Sequence, residues 1–239
     1  MDPFEANYRT ALEKHQKEPP LFRAVSSGNN ELFKRLLEQP EQRAQLKDTD
    51  IGHDCLNCAI VQDNKEIVKA LVELPLSEFD WIHHPVASLK AIGHLHTAAS
   101  LGRFDAFKIM ADTGNVEIGG RDPYGKTPLH HASEVGSKEI VEFLVGEGVK
   151  PDETDGKGRT PLSYAAETGK NGILRVLLYV DGVGPDSKNL EGKSPFYYAI
   201  VSGNDVTADH LKFLGGGDVD RNAETKAKED RPSYDKQRT

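Results

Sequence analysis

The stretch TPLHHASEVGSKEIVEFLVGEG, residues 127–148, decides the fold. Thr127 offers a hydroxyl to the free amides of a starting helix, and Pro128 occupies the first helical position, where its missing N–H costs nothing. A short helix follows with Leu129 and Ala132 facing inward, and Gly136 supplies the left-handed residue that closes it. A second helix is predicted from about Ser137 to Gly146, with Ile140, Val141, Phe143 and Leu144 on one apolar stripe and Lys138, Glu139 and Glu142 toward water. Upstream, Asp122-Pro123-Tyr124-Gly125 is a turn.

The opening phrase recurs. TPLHHAS at 127 returns as TPLSYAA at 160 and SPFYYAI at 194, with weaker copies PPLFRAV at 19, DCLNCAI at 54 and GHLHTAA at 93. Successive starts lie 35, 39, 34, 33 and 34 residues apart. A period of that size marks a solenoid of stacked helix pairs. A lone pair leaves one side of each helix uncovered, so stacking on its neighbours is the source of stability. Such an array is a surface for holding another molecule and has no built-in reaction centre.

Composition fits this. Of 239 residues 37% are hydrophobic and 28% charged, and the net charge of −8 argues against a nucleic-acid binder, which carries a basic footprint. The first twenty residues lack the apolar run of a secretory leader, and Ile173–Val180, interrupted by Arg175, is far too short to span a bilayer. Cys55 and Cys58 are too few for a disulfide framework, so the expected setting is the cytoplasm or nucleus.

At these residues the chain resembles the ankyrin repeat, whose signature is T-P-L-H-x-A with a period of about 33 residues. The resemblance implies an all-α ankyrin-repeat solenoid of about six helix-turn-helix units with short β-turn or hairpin tips. The expected layout is a capping segment at 1–18 and a repeat domain at 19–221. Its units lie near 19–49, 50–88 (with an insertion at 75–88), 89–122, 123–155, 156–189 and 190–221, and a disordered charged tail follows at 222–239. In the unit at 50, Asp63 stands where other copies close the first helix with glycine, and Asp tolerates the left-handed conformation better than most residues. Gly215–Gly217 reads as a helix stop, not a phosphate loop.

The resemblance also implies where a partner binds: on the turn tips and the concave ends of the first helices. Matched position by position, Tyr124, Lys126, Lys157, Arg159, Glu191 and Lys193 fall on successive tips, with Glu134, Val135, Glu167 and Thr168 beside them. Lys90, Lys126, Arg159 and Lys193 would form a cationic row able to steer an acidic or phosphorylated segment of a partner protein. The competing reading is that these cations only keep the tips soluble. The function implied is a non-enzymatic scaffold or adaptor, with the tail from Arg221 a candidate tether.

A second class of function rests on the histidines. His53, Cys55, Cys58, His83, His84, His94 and His96 contain enough ligands for zinc, and the stretch at 81–96, with Trp81, departs from the repeat pattern and could serve a small catalyst or metal site. Against this, Cys55 and Cys58 sit at packing positions of their unit's phrase. His96 and His130 hold the family's structural histidine position. No nucleophile and base are paired, and no GxSxG, P-loop or HExxH occurs, so no cofactor, metal or catalysis is expected. His131 shares its slot with Tyr164 and Tyr198, which suggests inter-unit packing, and Phe196, Tyr197 and Tyr198 are expected to seal the final unit.

Overall fold

Where the sequence places Thr-Pro or Ser-Pro, helices start sharply. The structure, a computed structural model, describes residues 18–75, 89–114, 116–214 and 221–231, and among them there are helices and turns but no strand. The expectations for the capping segment at 1–17, for the insertion at 76–88 with Trp81, His83 and His84, and for Gly215–Gly217 lie outside the described residues. The chain divides into two compact units, Met1–Ile118 and Gly119–Thr239. The division falls in a stretch holding Gly114, Gly119 and Gly120, which has few apolar side chains to bury.

The first unit contains α1 (Pro20–Ser26), α2 (Asn30–Leu37), α3 (Pro40–Arg43), a 3-10 turn (Ala44–Lys47), α4 (Thr49–Val61), α5 (Lys65–Val72), α6 (Leu89–Ser100) and α7 (Phe104–Ala111). First helices α1, α4 and α6 pack in one layer, and second helices α2, α5 and α7 in another. Leu21, Phe22, Phe33, Leu56, Ile60, Ile67, Leu71 and Phe107 fill the space between. Each such side chain contributes about 1.5 to 3 kcal/mol by leaving water. Side chains also stitch one pair to the next: Gln62 donates to the Ser26 carbonyl at 2.8 Å and Asn64 to the Asn30 amide oxygen at 2.6 Å.

Two helix starts differ from the expectation. The repeated phrase puts the starts of the first helices at Asp54 and Gly93, yet α4 starts at Thr49 and α6 at Leu89. Proline at a helix start restrains the residue before it to extended backbone and so forbids a further turn upstream. Neither copy has that proline, and both helices extend backward. Lys90 therefore lies in the first turn of α6, not on a turn tip. Asp63 behaves as anticipated, closing α4 with φ 58°, the one non-glycine left-handed residue among those described.

The second unit contains α8 (Pro128–Val135), α9 (Lys138–Gly146), α10 (Pro161–Glu167), α11 (Asn171–Leu178), α12 (Pro195–Val201), α13 (Asp205–Leu214) and α14 (Arg221–Asp230). Helices α8, α10, α12 and α14 pack side by side in that order, with α9 against α11 behind the first two. Leu129, Ile140, Leu144, Leu162, Ile173, Leu174, Leu177 and Phe196 form the core. Phe196 and Tyr197 are buried as the sealing role requires.

Helix α14 corrects the expectation of a disordered tail over its first part. Its sequence is highly charged and would not hold a helix alone. Packing on α12 and an ion pair to α13 supply what it lacks: Ala227 is fully buried, the Tyr197 hydroxyl of α12 donates to Asp230 at 2.6 Å, and Lys212 of α13 pairs with Glu224 at 3.0 Å. It lies against α12 as α12 lies against α10, and so covers the side of α12 that faces away from α10.

Candidate interaction face of the second unit

Each tip of the second unit is built by one acidic or amide side chain. Asp122, Asp155 and Asn189 each accept two backbone N–H bonds through Oδ1, at 2.8–3.0 Å, from the residues two and four positions on. The remaining atom of each reaches the residue nine positions on, in the first helix. Asp122 Oδ2 meets His131 Nε2 at 3.0 Å, the Tyr164 hydroxyl donates to Asp155 at 2.7 Å, and Asn189 donates to the Tyr198 hydroxyl at 2.9 Å. The slot shared by His131, Tyr164 and Tyr198 thus braces its own tip, and Tyr164 and Tyr198 also pack on Lys126 and Arg159 of the preceding repeat, the packing between units that the sequence suggested.

Burial alone would raise the carboxyl groups of Asp122 and Asp155. Bonds from His131 and from the Lys126 and Tyr124 amides outweigh it at Asp122, and bonds from Tyr164 and from the Arg159 and Lys157 amides outweigh it at Asp155, so both stay below the ordinary carboxylate range. Burial, and then the bond to Asp155, pushes the Tyr164 phenol far up.

The tips bond to one another. Gly156 N–H donates to the Tyr124 carbonyl at 2.9 Å, and Leu190 N–H to the Lys157 carbonyl at 3.1 Å. A Cβ on Gly125, whose φ is 78°, would come within 2.7 Å of the Gly156 amide nitrogen. Glycine is needed there both for the turn and for the close approach. His130 adds a third tie: its Nδ1 accepts from the Thr127 amide at 3.0 Å and its Nε2 reaches the Arg159 carbonyl at 3.0 Å, across to the next tip.

Three members of the cationic row have carboxylate partners. Lys126 pairs with Glu134 at 2.9 Å and Arg159 with Glu167. Lys193 has no such carboxylate, because Val201 occupies the place of Glu134 and Glu167, and it turns to Glu191 at 2.7 Å. The cations also stack on rings. Lys126 lies 4.1 Å and Arg159 3.9 Å from the Tyr164 centroid, Arg159 again 4.0 Å from Tyr198, and Lys193 5.0 Å from Tyr197. Along the repeats Lys126, Tyr164, Arg159 and Tyr198 therefore alternate cation and ring, each desolvated contact worth about 2 kcal/mol. The Arg159 side chain is only 11% exposed and that of Lys126 18%. Burial opposes the Arg159 charge, and Glu167 outweighs it.

What faces outward is different. Tyr124 is 78% and Leu190 80% exposed, and Val135, Lys157, Thr168 and Glu191 are exposed on the same tips and first helices. Glu134 and Glu167 are half-exposed beside their cations. Leu190 is absent from the residues that sequence reasoning singles out. Its signal is a large aliphatic side chain in the tip position that holds Pro123 and Gly156 in the other copies.

In the first unit His53 Nδ1 and His94 Nε2 lie 2.7 Å apart, both buried, and His94 Nδ1 is 2.7 Å from the Asn57 oxygen. The Asn57 oxygen accepts, so His94 carries its proton on Nδ1 and accepts from His53 through Nε2. Burial, with Cys58 and Asp54 nearby, pushes the Cys55 thiol far up, so it is an inert packing group, as its position in the phrase suggests. Among the described residues no three His, Cys, Asp or Glu side chains gather as metal ligands, and no helix is long and apolar enough to cross a membrane.

Comparison with known proteins adds two findings. The family described as "Ankyrin repeats (3 copies)" matches residues 86–155 and 145–223. The chain is similar to the protein named "Probable 26S proteasome regulatory subunit p28" of Saccharomyces cerevisiae (strain ATCC 204508 / S288c), at 30% identity over 144 residues. That alignment covers 58% of this chain and 58% of the yeast protein.

Proposed function

Because the chain belongs to the ankyrin repeat family, we propose that it is a non-enzymatic scaffold or adaptor of the cytoplasm or nucleus that holds a partner protein on the tips and first helices of its second unit. The observation that carries this reading is a rigid face with apolar side chains left outside it. Asx braces, tip-to-tip bonds and the cation–ring ladder fix the backbone, while Tyr124, Val135 and Leu190 stay in solvent. A face ordered in advance loses little conformational entropy on binding, and exposed aromatic and aliphatic side chains are the usual anchors of an interface.

With Lys126, Arg159 and Lys193 committed to carboxylates, those cations serve the rigidity of the face and Lys157 is left for a ligand. The yeast relative's name makes the 26S proteasome the first assembly to test. The full chain is used as bait on purified proteasome and on native extract, beside a Val135→Glu, Thr168→Arg variant. Both positions are exposed, so the melting curve should be unchanged while at least one captured partner is lost. Capture of the same set by both proteins, at equal yield, sinks the reading.

A further inference from the structure

Resting on that reading, we propose that the second unit selects an extended acidic segment of its partner, one carboxylate seated on Lys157 between two apolar side chains seated on Tyr124 and Leu190. Between the Asx braces and the helix starts the three tips carry four cations, and three are already matched: Lys126 with Glu134, Arg159 with Glu167 and Lys193 with Glu191. Lys157 is the fourth, with no carboxylate in ion-pair range among the described residues, and its side chain is exposed. Its backbone position is fixed from both sides. Its amide is held by Asp155 at 2.8 Å, and its carbonyl accepts from Leu190.

The two apolar neighbours belong to the same hydrogen-bonded strip. Gly156, beside Lys157, donates to the carbonyl of Tyr124, and Leu190 donates to Lys157 itself. Tyr124 and Leu190 are the exposed large hydrophobic side chains of the tips. Glu191, paired with Lys193, feels Lys157 across the tips but lies outside ion-pair range of it. A cation without an ion-pair partner, flanked by two apolar side chains, is complementary to an anion flanked the same way. Bidentate recognition of a phosphate is the work of an arginine fork, and Arg159 is already stacked and paired.

Spacing sets the ligand's register. Packed helices stand about 8–10 Å apart, so successive tips do as well. A polyproline II segment rises about 3.1 Å per residue and repeats its side-chain direction every third residue. The matching sequence is therefore apolar-x-x-(Asp/Glu)-x-x-apolar.

The test uses the full chain to select from a displayed library of random decapeptides, with synthetic peptides made from the winners. The expected result is enrichment of Asp or Glu with aromatic or aliphatic residues three positions to either side. Affinity should fall at least tenfold on Lys157→Glu and be recovered by that variant when the peptide acid is replaced with Lys. Peptides that need Tyr124 and Leu190 but show no acidic preference overturn the inference and leave the protein-binding reading standing. A phosphoserine peptide binding tenfold tighter than its Glu counterpart also overturns it. Winners indifferent to every exposed side chain of the tips and first helices sink both.

Discussion

His130 carries its imidazole where water cannot reach, and burial lowers its pKa from 6.5 to about 4 despite the carbonyl of Arg159 and the nearby Asp155. Near pH 5 the unfolded chain binds a proton at this position and the folded chain does not, so stability falls as pH falls. The contribution is intact above about pH 6.5 and is lost as pH drops to and through about 4. Keeping this one histidine neutral costs the folded state about 3 kcal/mol across that window. The check is urea unfolding of the wild type and of His130→Gln between pH 7 and pH 4. The variant is less stable at pH 7 and its curve is flatter over the window, and parallel curves would refute the assignment. The histidine's structural role was legible in T-P-L-H, because a capping contact spans three residues. Its reach to the Arg159 carbonyl was not, because that partner lies in the next repeat.

Helix α14 shows what an element owes to its neighbours. Ten residues, six of them charged, fall below the length at which an isolated helix persists in water. The side of α12 facing away from α10 gives this segment somewhere to dock, and Ala227 is small enough to let the two backbones approach. Ala227→Glu is therefore expected to undock the helix. Amide exchange over 221–230 should rise to the unprotected rate while α8 and α10 keep theirs; retained protection would show that the helix stands without its dock. The opposite lesson comes from α4 and α6. There the deciding signal is local, the absence of a proline, and both helices run further upstream than in the Thr-Pro and Ser-Pro copies.

At the scale of the whole second unit, stability is shared between neighbours. Leu162 is fully buried in α10, which packs against α8 on one side and α12 on the other. Leu162→Asp places an unpaired charge in both interfaces at once and is expected to cost more than about 4 kcal/mol. The urea midpoint should drop and exchange should accelerate in α8, α10 and α12 together. An unchanged midpoint would mean that the helix pairs do not depend on one another.

Sequence alone determined the helix pairs, their caps, the closing left-handed residues including Asp63, and membership in a repeat family, because capping, φ preference and apolar period act within a few residues. Tertiary structure alone decided which cations are spent. Lys126 and Arg159 sit just before Thr-Pro in the same way as Lys193 sits before Ser-Pro, and nothing local distinguishes a solvated tip cation from one stacked on a tyrosine of a neighbouring repeat. Only stacking brings Tyr164 and Tyr198 to those charges, and only the stacked tips bond the backbone of Lys157 to that of Leu190 while its side chain stays exposed.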